Sequence, residues 1–281
     1  MLITLKELLS DAEKRHVAYG AFNAPNYETA LAVIEAGEEL NLPVILSPGP
    51  GHDCYVNFDH IMAIYQVLAE KAAIDVCIHL DHCQDLAYIK KALKAGVTSV
   101  MYDGSHFDFA TNIKNTQEVV ALAKPYGASV EAELGTVATS AIGQPETAHI
   151  SDEAIYTDPA EAEEFVKQTG IDALAVAIGT VHGVYVKEPV LDLPRIKEIK
   201  ERVKIPLVMH GGSGIAANEV KQAIANGINK INYYTYMAMA GGQAVKEYCA
   251  NKDLVFFHDV SLVGKAAIKE DVLRVMRLFS L

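Results

Sequence analysis

The chain has 281 residues, 51% of them hydrophobic, which is apolar material enough for one core of the size of a barrel of about 250 residues. Acidic side chains number 36 against 24 basic ones, and the field of the resulting −12 charge argues against nucleic acid or an anionic membrane as partner. The cysteines, Cys54, Cys77, Cys83 and Cys249, form no C-x-x-C pair and point to no disulfide framework, and no apolar run is long enough to span a bilayer.

The amino terminus, MLITLKELLSDAEKR, lacks the basic region and apolar stretch of a signal peptide, so a cytoplasmic protein is expected. It predicts an amphipathic helix with Thr4 as its cap and Glu7 three residues on. Eight short β-branched or apolar runs follow, at 17–22, 43–47, 74–80, 97–102, 128–134, 172–178, 205–209 and 229–233. Segments of helical spacing separate them, as at 26–40, 84–95 and 217–226, and Gly96, Gly127, Gly170 and Gly227 punctuate joins. Strands alternating with helices imply a parallel sheet. Eight such units imply an α/β fold, a single (β/α)8 TIM barrel over 1–281 with an N-terminal helix.

A barrel puts its chemistry where strands run into the loops that follow them. Asp81 and His82 follow strand three, Asp103 strand four and His182 strand six; Glu131 and Glu133 end strand five; His210 to Ser213 follow strand seven, and Asn232 and Thr235 end strand eight. Three neutral imidazoles from separate strand ends, His82, His182 and His210, are a donor set for a catalytic Zn2+ with an open fourth position, a Lewis acid for a carbonyl. His79, inside strand three, reads as structural, and His16, His60 and His258 as ordinary surface or core-edge residues. Asp81 would point away from His82 in an extended strand, an alternation that relaxes at the turn beyond it. It reads as a proton donor or acceptor, or else as a partner orienting a histidine.

Glu131 and Glu133 share one face of a strand, where unpaired carboxylates are costly to bury. With Asp103 they read as a second cation position or as an orienting shell. The run HGGSG at 210–214, ahead of a helical stretch, is a phosphate cradle by mechanism, because glycines admit close approach and amides at a helix start face the anion. The loop SPGPGHDCY at 47–55 faces the same mouth; it reads either as a tight turn or as a site where His52 and neighbouring amides take a distal phosphate or sulfonate.

With these residues in place, the chain resembles the class II, metal-dependent ketose-phosphate aldolases, the family of fructose- and tagatose-bisphosphate aldolases. The likeness rests on FN at 22–23, LDH at 80–82, SVMYDGSH at 99–106, VEAELG at 130–135, DALAVAIGTVHGVY at 172–185, LVMHGGSG at 207–214 and KINYYT at 230–235. It implies reversible cleavage of a ketose 1-phosphate or 1,6-bisphosphate to dihydroxyacetone phosphate and an aldehyde, through a zinc-stabilised enediolate, in a homodimer or homotetramer. It implies His82, His182 and His210 as zinc ligands, Glu133 as a residue able to hold the ion in a withdrawn position, and Asp81 as the proton-transferring acid, while Asp103 stays a metal-site candidate through the second cation position read above. It implies Gly183, Gly211, Gly212, Ser213, Asn232 and Thr235 as substrate-binding, with backbone carbonyls there able to hold Na+ or K+; Asn23 and, in the 47–55 loop, Ser47 and His52 are further substrate-binding candidates.

Two departures stand out. The family's mobile loop after strand five supplies a glutamate for proton transfer; here the loop reads GTVATSAIGQPETAHISDE, and Glu146, with His149 behind it, is the nearest candidate for the second catalytic residue. Tyr233 and Tyr234 replace smaller or acidic side chains in the strand-eight motif. The same chemistry on 6-deoxy-6-sulfofructose 1-phosphate is an alternative that rests on the 47–55 loop. From other classes, a metal-dependent barrel hydrolase would use the three histidines to activate water, but VAYGAFNA lacks the His-x-His pair such enzymes often carry. A non-catalytic sugar-phosphate binder is suggested only by the missing loop glutamate.

Overall fold

The computed structural model describes residues 1–135, 137–140, 156–185, 189–250 and 252–280. The first helix, α1 (Leu5–Arg15), starts as its sequence demands: the Thr4 hydroxyl accepts from the Glu7 amide while the Glu7 carboxylate accepts from the Thr4 amide. Its apolar face, Leu5, Leu8, Leu9 and Ala12, closes one end of a barrel against Tyr19, Cys77, Met101 and Val208.

The barrel strands are β1 (Tyr19–Phe22), β2 (Val44–Leu46), β3 (Val76–Cys83), β4 (Ser99–Tyr102), β5 (Ser129–Leu134), β7 (Ala173–Val176), β9 (Leu207–Met209) and β10 (Ile228–Tyr233). They pair in parallel in that order, and β10 returns to β1 in register Tyr19 with Lys230 through Phe22 with Tyr233, so no edge is left open. Two shorter strands, β6 (Ala138–Ser140) and β8 (Val181–Gly183), form a separate parallel pair above the barrel, with Thr139 opposite His182. All eight predicted strands are present, and the fold is the predicted (β/α)8 barrel.

The helices crossing between strands are α2 (Tyr27–Leu40), α3 (Phe58–Lys71), α4 (Leu86–Lys94), α5 (Phe109–Ala123), α6 (Pro159–Thr169), α7 (Leu193–Val203) and α8 (Ala217–Ala225). Asn26, Asn57, Asp85, Asp108, Asp158 and Asp192 cap six of them with side-chain oxygens on first-turn amides. The chain then runs through α9 (Thr235–Ala250) and α10 (Phe257–Phe279), and α10 packs on α9 and α2. Among the described residues no helix is long and apolar enough to cross a membrane.

Strand three departs from the prediction by running three residues further, to Cys83. Its register with β4 slips between Leu80 and Cys83, and His82 takes the left-handed conformation, with φ of 44°. That slip lets Asp81 and His82, neighbours in sequence, line one cleft, where strict alternation would separate them.

Candidate active site

The cleft opens at the carboxyl ends of the strands and holds about 220 Å3; Asn23, Asp81, His82, His182, Gly183, Gly211, Ser213, Asn232 and Thr235 line it with Tyr233 and Tyr234. At its floor the imidazoles of His82, His182 and His210 face one another, with a ring nitrogen of each within 4.8 Å of the others. His82 Nε2 and His210 Nδ1 are 2.7 Å apart.

Carboxylates fix which nitrogens meet. His82 donates its Nδ1–H to Asp103 Oδ2 at 3.0 Å, and His210 donates its Nε2–H to Glu131 Oε1 at 3.0 Å, which turns His82 Nε2 and His210 Nδ1 toward each other, where they share a proton that a bound cation would displace. Asp103 is itself held by the Ser105 amide and hydroxyl. Burial, the neighbouring His82 and Lys230 hold His210 well below its ordinary pKa, and burial with His82 lowers His182 to about 4. Burial also opposes charge on His82, yet Asp81 and the bond to Asp103 lift it to about 9. Three inward imidazoles, two of them braced by carboxylates, are a donor set that fits Zn2+.

Asp81 stands beside the triad, clamped by two amides. Asn23 Nδ2 donates to its Oδ2 at 3.0 Å and Asn232 Nδ2 to its Oδ1 at 3.1 Å. Burial works against its ionised form, but His82, His210 and Lys230 outweigh it and hold the carboxyl well below the usual range. Glu133 forms a second group with His82 and Asp103, all within 4.8 Å. Its Oε1 accepts only a long bond from the Val137 amide, Oε2 has no hydrogen-bond partner among the described residues, and burial beside Asp103 pushes its pKa up to about 8. A buried carboxylate so poorly satisfied fits a cation position.

Glu131 divides from Glu133. It lies beneath the triad in a fully buried layer with His79 and Lys230, whose Nζ is 2.9 and 3.1 Å from its two oxygens, while His79 Nδ1 meets the Ser99 hydroxyl. Glu131 is thus the orienting carboxylate of the two predicted readings, and His79 belongs to its support. Lys230 is the residue the sequence reading passed over; its signal was a lysine two positions before Asn232, on the same inward face of strand eight.

The predicted phosphate loop lies on the cleft wall. Gly211 is left-handed, with φ of 68°, and its carbonyl accepts the Tyr185 hydroxyl, so a monovalent cation there would share that oxygen. Gly212 is packed under the loop, its amide donating to the Asn232 carbonyl. Ser47 lies away from the histidines, lining a smaller cavity under the 47–57 loop, and its carbonyl accepts from Asn23. His52 lines that cavity too, edge-on to Tyr234 with centroids 5.3 Å apart. Both unexpected tyrosines line the cleft, but Tyr233 gives its hydroxyl to Asp271 of α10, whereas Tyr234 meets the His52 ring. Glu146 and His149 lie outside the described residues.

Comparison with known proteins agrees with this architecture. The family model for class-II fructose-bisphosphate aldolase matches residues 3–281. The protein YdjI of Escherichia coli K12 is 41% identical over 279 residues, which cover 99% of this chain and 98% of that one. The crystal structure of the YdjI aldolase superposes with a TM-score of 0.88 at 38% identity, covering 99% and 97% of the two chains. A structure from Coccidioides immitis, assigned as a fructose-1,6-bisphosphate aldolase, gives 0.87 at 28% identity over 98% and 95%. The chain belongs to the class II fructose-bisphosphate aldolase family, whose members are typically metal-dependent, and it is an aldolase.

Proposed function

We propose that the protein reversibly cleaves a ketose 1-phosphate of the fructose or tagatose type, giving dihydroxyacetone phosphate and an aldehyde. The observation that carries this reading is the juxtaposition of a doubly clamped Asp81 with three mutually facing imidazoles in one cleft walled by Gly211 and Ser213. His82, His182 and His210 would hold the divalent cation, with His82, Asp103 and Glu133 a second position. When bound, the cation supplies Lewis acidity toward the substrate carbonyl.

In the cleavage direction Asp81 takes the proton of the hydroxyl that becomes the aldehyde oxygen, as the adjacent carbon–carbon bond breaks toward the carbonyl; in condensation it returns that proton. Asn23 and Asn232 keep both its oxygens from rotating away. The loop at 211–213 and Thr235 at the start of α9 would take the phosphate, with backbone donors at a helix end serving in place of cationic side chains. Glu146 is proposed for the second proton transfer, a homodimer or homotetramer as the assembly, and the cytoplasm as the location.

The test is release of dihydroxyacetone phosphate by zinc-loaded protein, with and without chelator, from fructose 1-phosphate, fructose 1,6-bisphosphate, tagatose 1,6-bisphosphate and 6-deoxy-6-sulfofructose 1-phosphate. Chelator-sensitive release from any of them supports the reading. A metal-replete protein that cleaves none of them sinks it.

A further inference from the structure

The aldehyde fragment of the substrate carries the oxygen whose proton Asp81 moves, so its surroundings are the residues that meet Asp81 on the side of the 47–57 loop. That loop is in direct contact: the Asp81 amide donates to the Pro48 carbonyl at 2.8 Å, and a Cβ on Gly49 would stand 2.8 Å from the Asp81 carbonyl oxygen. We propose that this loop, with Tyr234, selects an uncharged polyhydroxy aldehyde, so that the preferred ketose carries one phosphate only. The proposal rests on the aldolase reading and narrows its substrate class.

An anion subsite needs donors, and the loop turns four of the seven N–H groups of residues 49–56 on itself. The His52 amide donates to the Gly49 carbonyl at 3.0 Å, the Asp53 amide to Pro50 at 3.2 Å, and the Tyr55 and Val56 amides both to His52, at 2.9 and 3.2 Å. These bonds wind residues 49–56 into a tight turn that uses up four of its N–H groups. The His52 ring, edge-on to Tyr234 and 6.3 Å from Tyr55, is pushed toward its neutral form by burial, which the nearby Asp81 and Asp53 only partly oppose. The bordering lysines are engaged elsewhere: Lys91 pairs with Asp59 at 2.9 Å, and Lys265 with Glu35 at 2.6 Å.

What the loop does offer is of the opposite kind. Asp53, which lines the cavity and accepts the Tyr88 hydroxyl at 2.8 Å, contributes a carboxylate, and Tyr234, Tyr55 and His52 contribute ring faces. Ring faces take the C–H side of a sugar chain, and carboxylate and carbonyl oxygens accept its hydroxyl protons. A second phosphate or a sulfonate would bring its charge beside Asp53 and Asp81 and lose water to a loop that turns most of its amides inward.

The experiment is aldol condensation by the zinc-loaded, full-length enzyme, with dihydroxyacetone phosphate fixed and either glyceraldehyde or glyceraldehyde 3-phosphate as acceptor. The unphosphorylated aldehyde should show the higher kcat/KM, by about ten-fold or more, and the gap should narrow as salt screens the carboxylates. Asp53→Asn should move the ratio toward the phosphorylated acceptor by about three-fold or more. A wild-type preference for glyceraldehyde 3-phosphate would overturn the proposal and leave the aldolase reading intact, whereas no condensation with either acceptor would overturn both. A ratio indifferent to salt and to Asp53→Asn would remove the electrostatic selection and the proposal with it.

Discussion

A carboxylate that moves protons has to be held as firmly as the atom it serves, and Asp81 has an asparagine amide on each oxygen. Asp81→Ala should therefore keep bound zinc and lose turnover by about 10²–10⁴-fold, the usual worth of a positioned acid or base. His210→Ala should lose zinc and activity together; elemental analysis beside the kinetics separates the two outcomes, and a metal-free but active His210 variant would remove it from the ligand set. One step below the ligands, Glu131 does two things, accepting the His210 proton and neutralising Lys230. Glu131→Leu should cost about 3–5 kcal/mol by leaving the buried ammonium unpaired, and should weaken zinc binding by about 10–100-fold by freeing the imidazole. Adding Lys230→Met should restore much of the stability and none of the metal affinity. Thermal unfolding and chelator competition read these effects separately; wild-type affinity in the double variant would show that Glu131 does not orient His210.

At the scale of elements, the site depends on two places where regular structure gives way. The slip at the end of β3, with His82 left-handed, turns two sequence neighbours into one cleft. The end of β9 leads into Gly211, where a Cβ would stand 2.4 Å from the Val181 carbonyl oxygen of the facing β8 segment. Both atoms belong to backbone, so neither can yield cheaply. Gly211→Ala should cost about 1–3 kcal/mol in stability through strain at positive φ. It should raise KM for a phosphorylated ketose more than it lowers kcat, since the loop is the proposed seat of the phosphate, the substrate end that does not react. Gly127→Ala is the matched control: its φ of 65° is equally left-handed, but nothing lies within 4 Å of the added carbon. It should share a modest stability loss and leave the kinetics alone; equal KM effects in both variants would deny the Gly211 loop its role.

For the whole molecule, the barrel was legible because each βα unit carries its own period, so eight apolar runs could be counted without knowing how they pair. That His82, His182, His210 and Asp81 would converge was legible for a related reason: barrel closure brings every strand end to one rim, whatever the distance along the chain. What happens inside the barrel was not. The spacing from Asn232 gives the face of Lys230 but not its partners: the lysine meets Glu131 and His79 only because β10 closes on β1 and the strands stagger. Neither could the sequence show that the strand-two loop turns most of its amides on itself. The same closure makes a final prediction about stability. The proposed ligands come from β3, from the β8 segment and from the turn after β9, so an ion bound to all three joins parts of the chain that unfolding separates. Binding to the folded state alone stabilises it by about 4 kcal/mol at a free metal concentration 1,000 times Kd. At about 2–4 °C per kcal/mol for a chain near this size, zinc should raise the midpoint of thermal unfolding by roughly 8–16 °C over chelated protein. His210→Ala should lose that increment, while Asp81→Ala, which removes the proposed proton carrier and none of the proposed ligands, should keep it. A wild-type midpoint that chelator leaves unchanged would mean that the three histidines do not bind the ion tightly in the folded state.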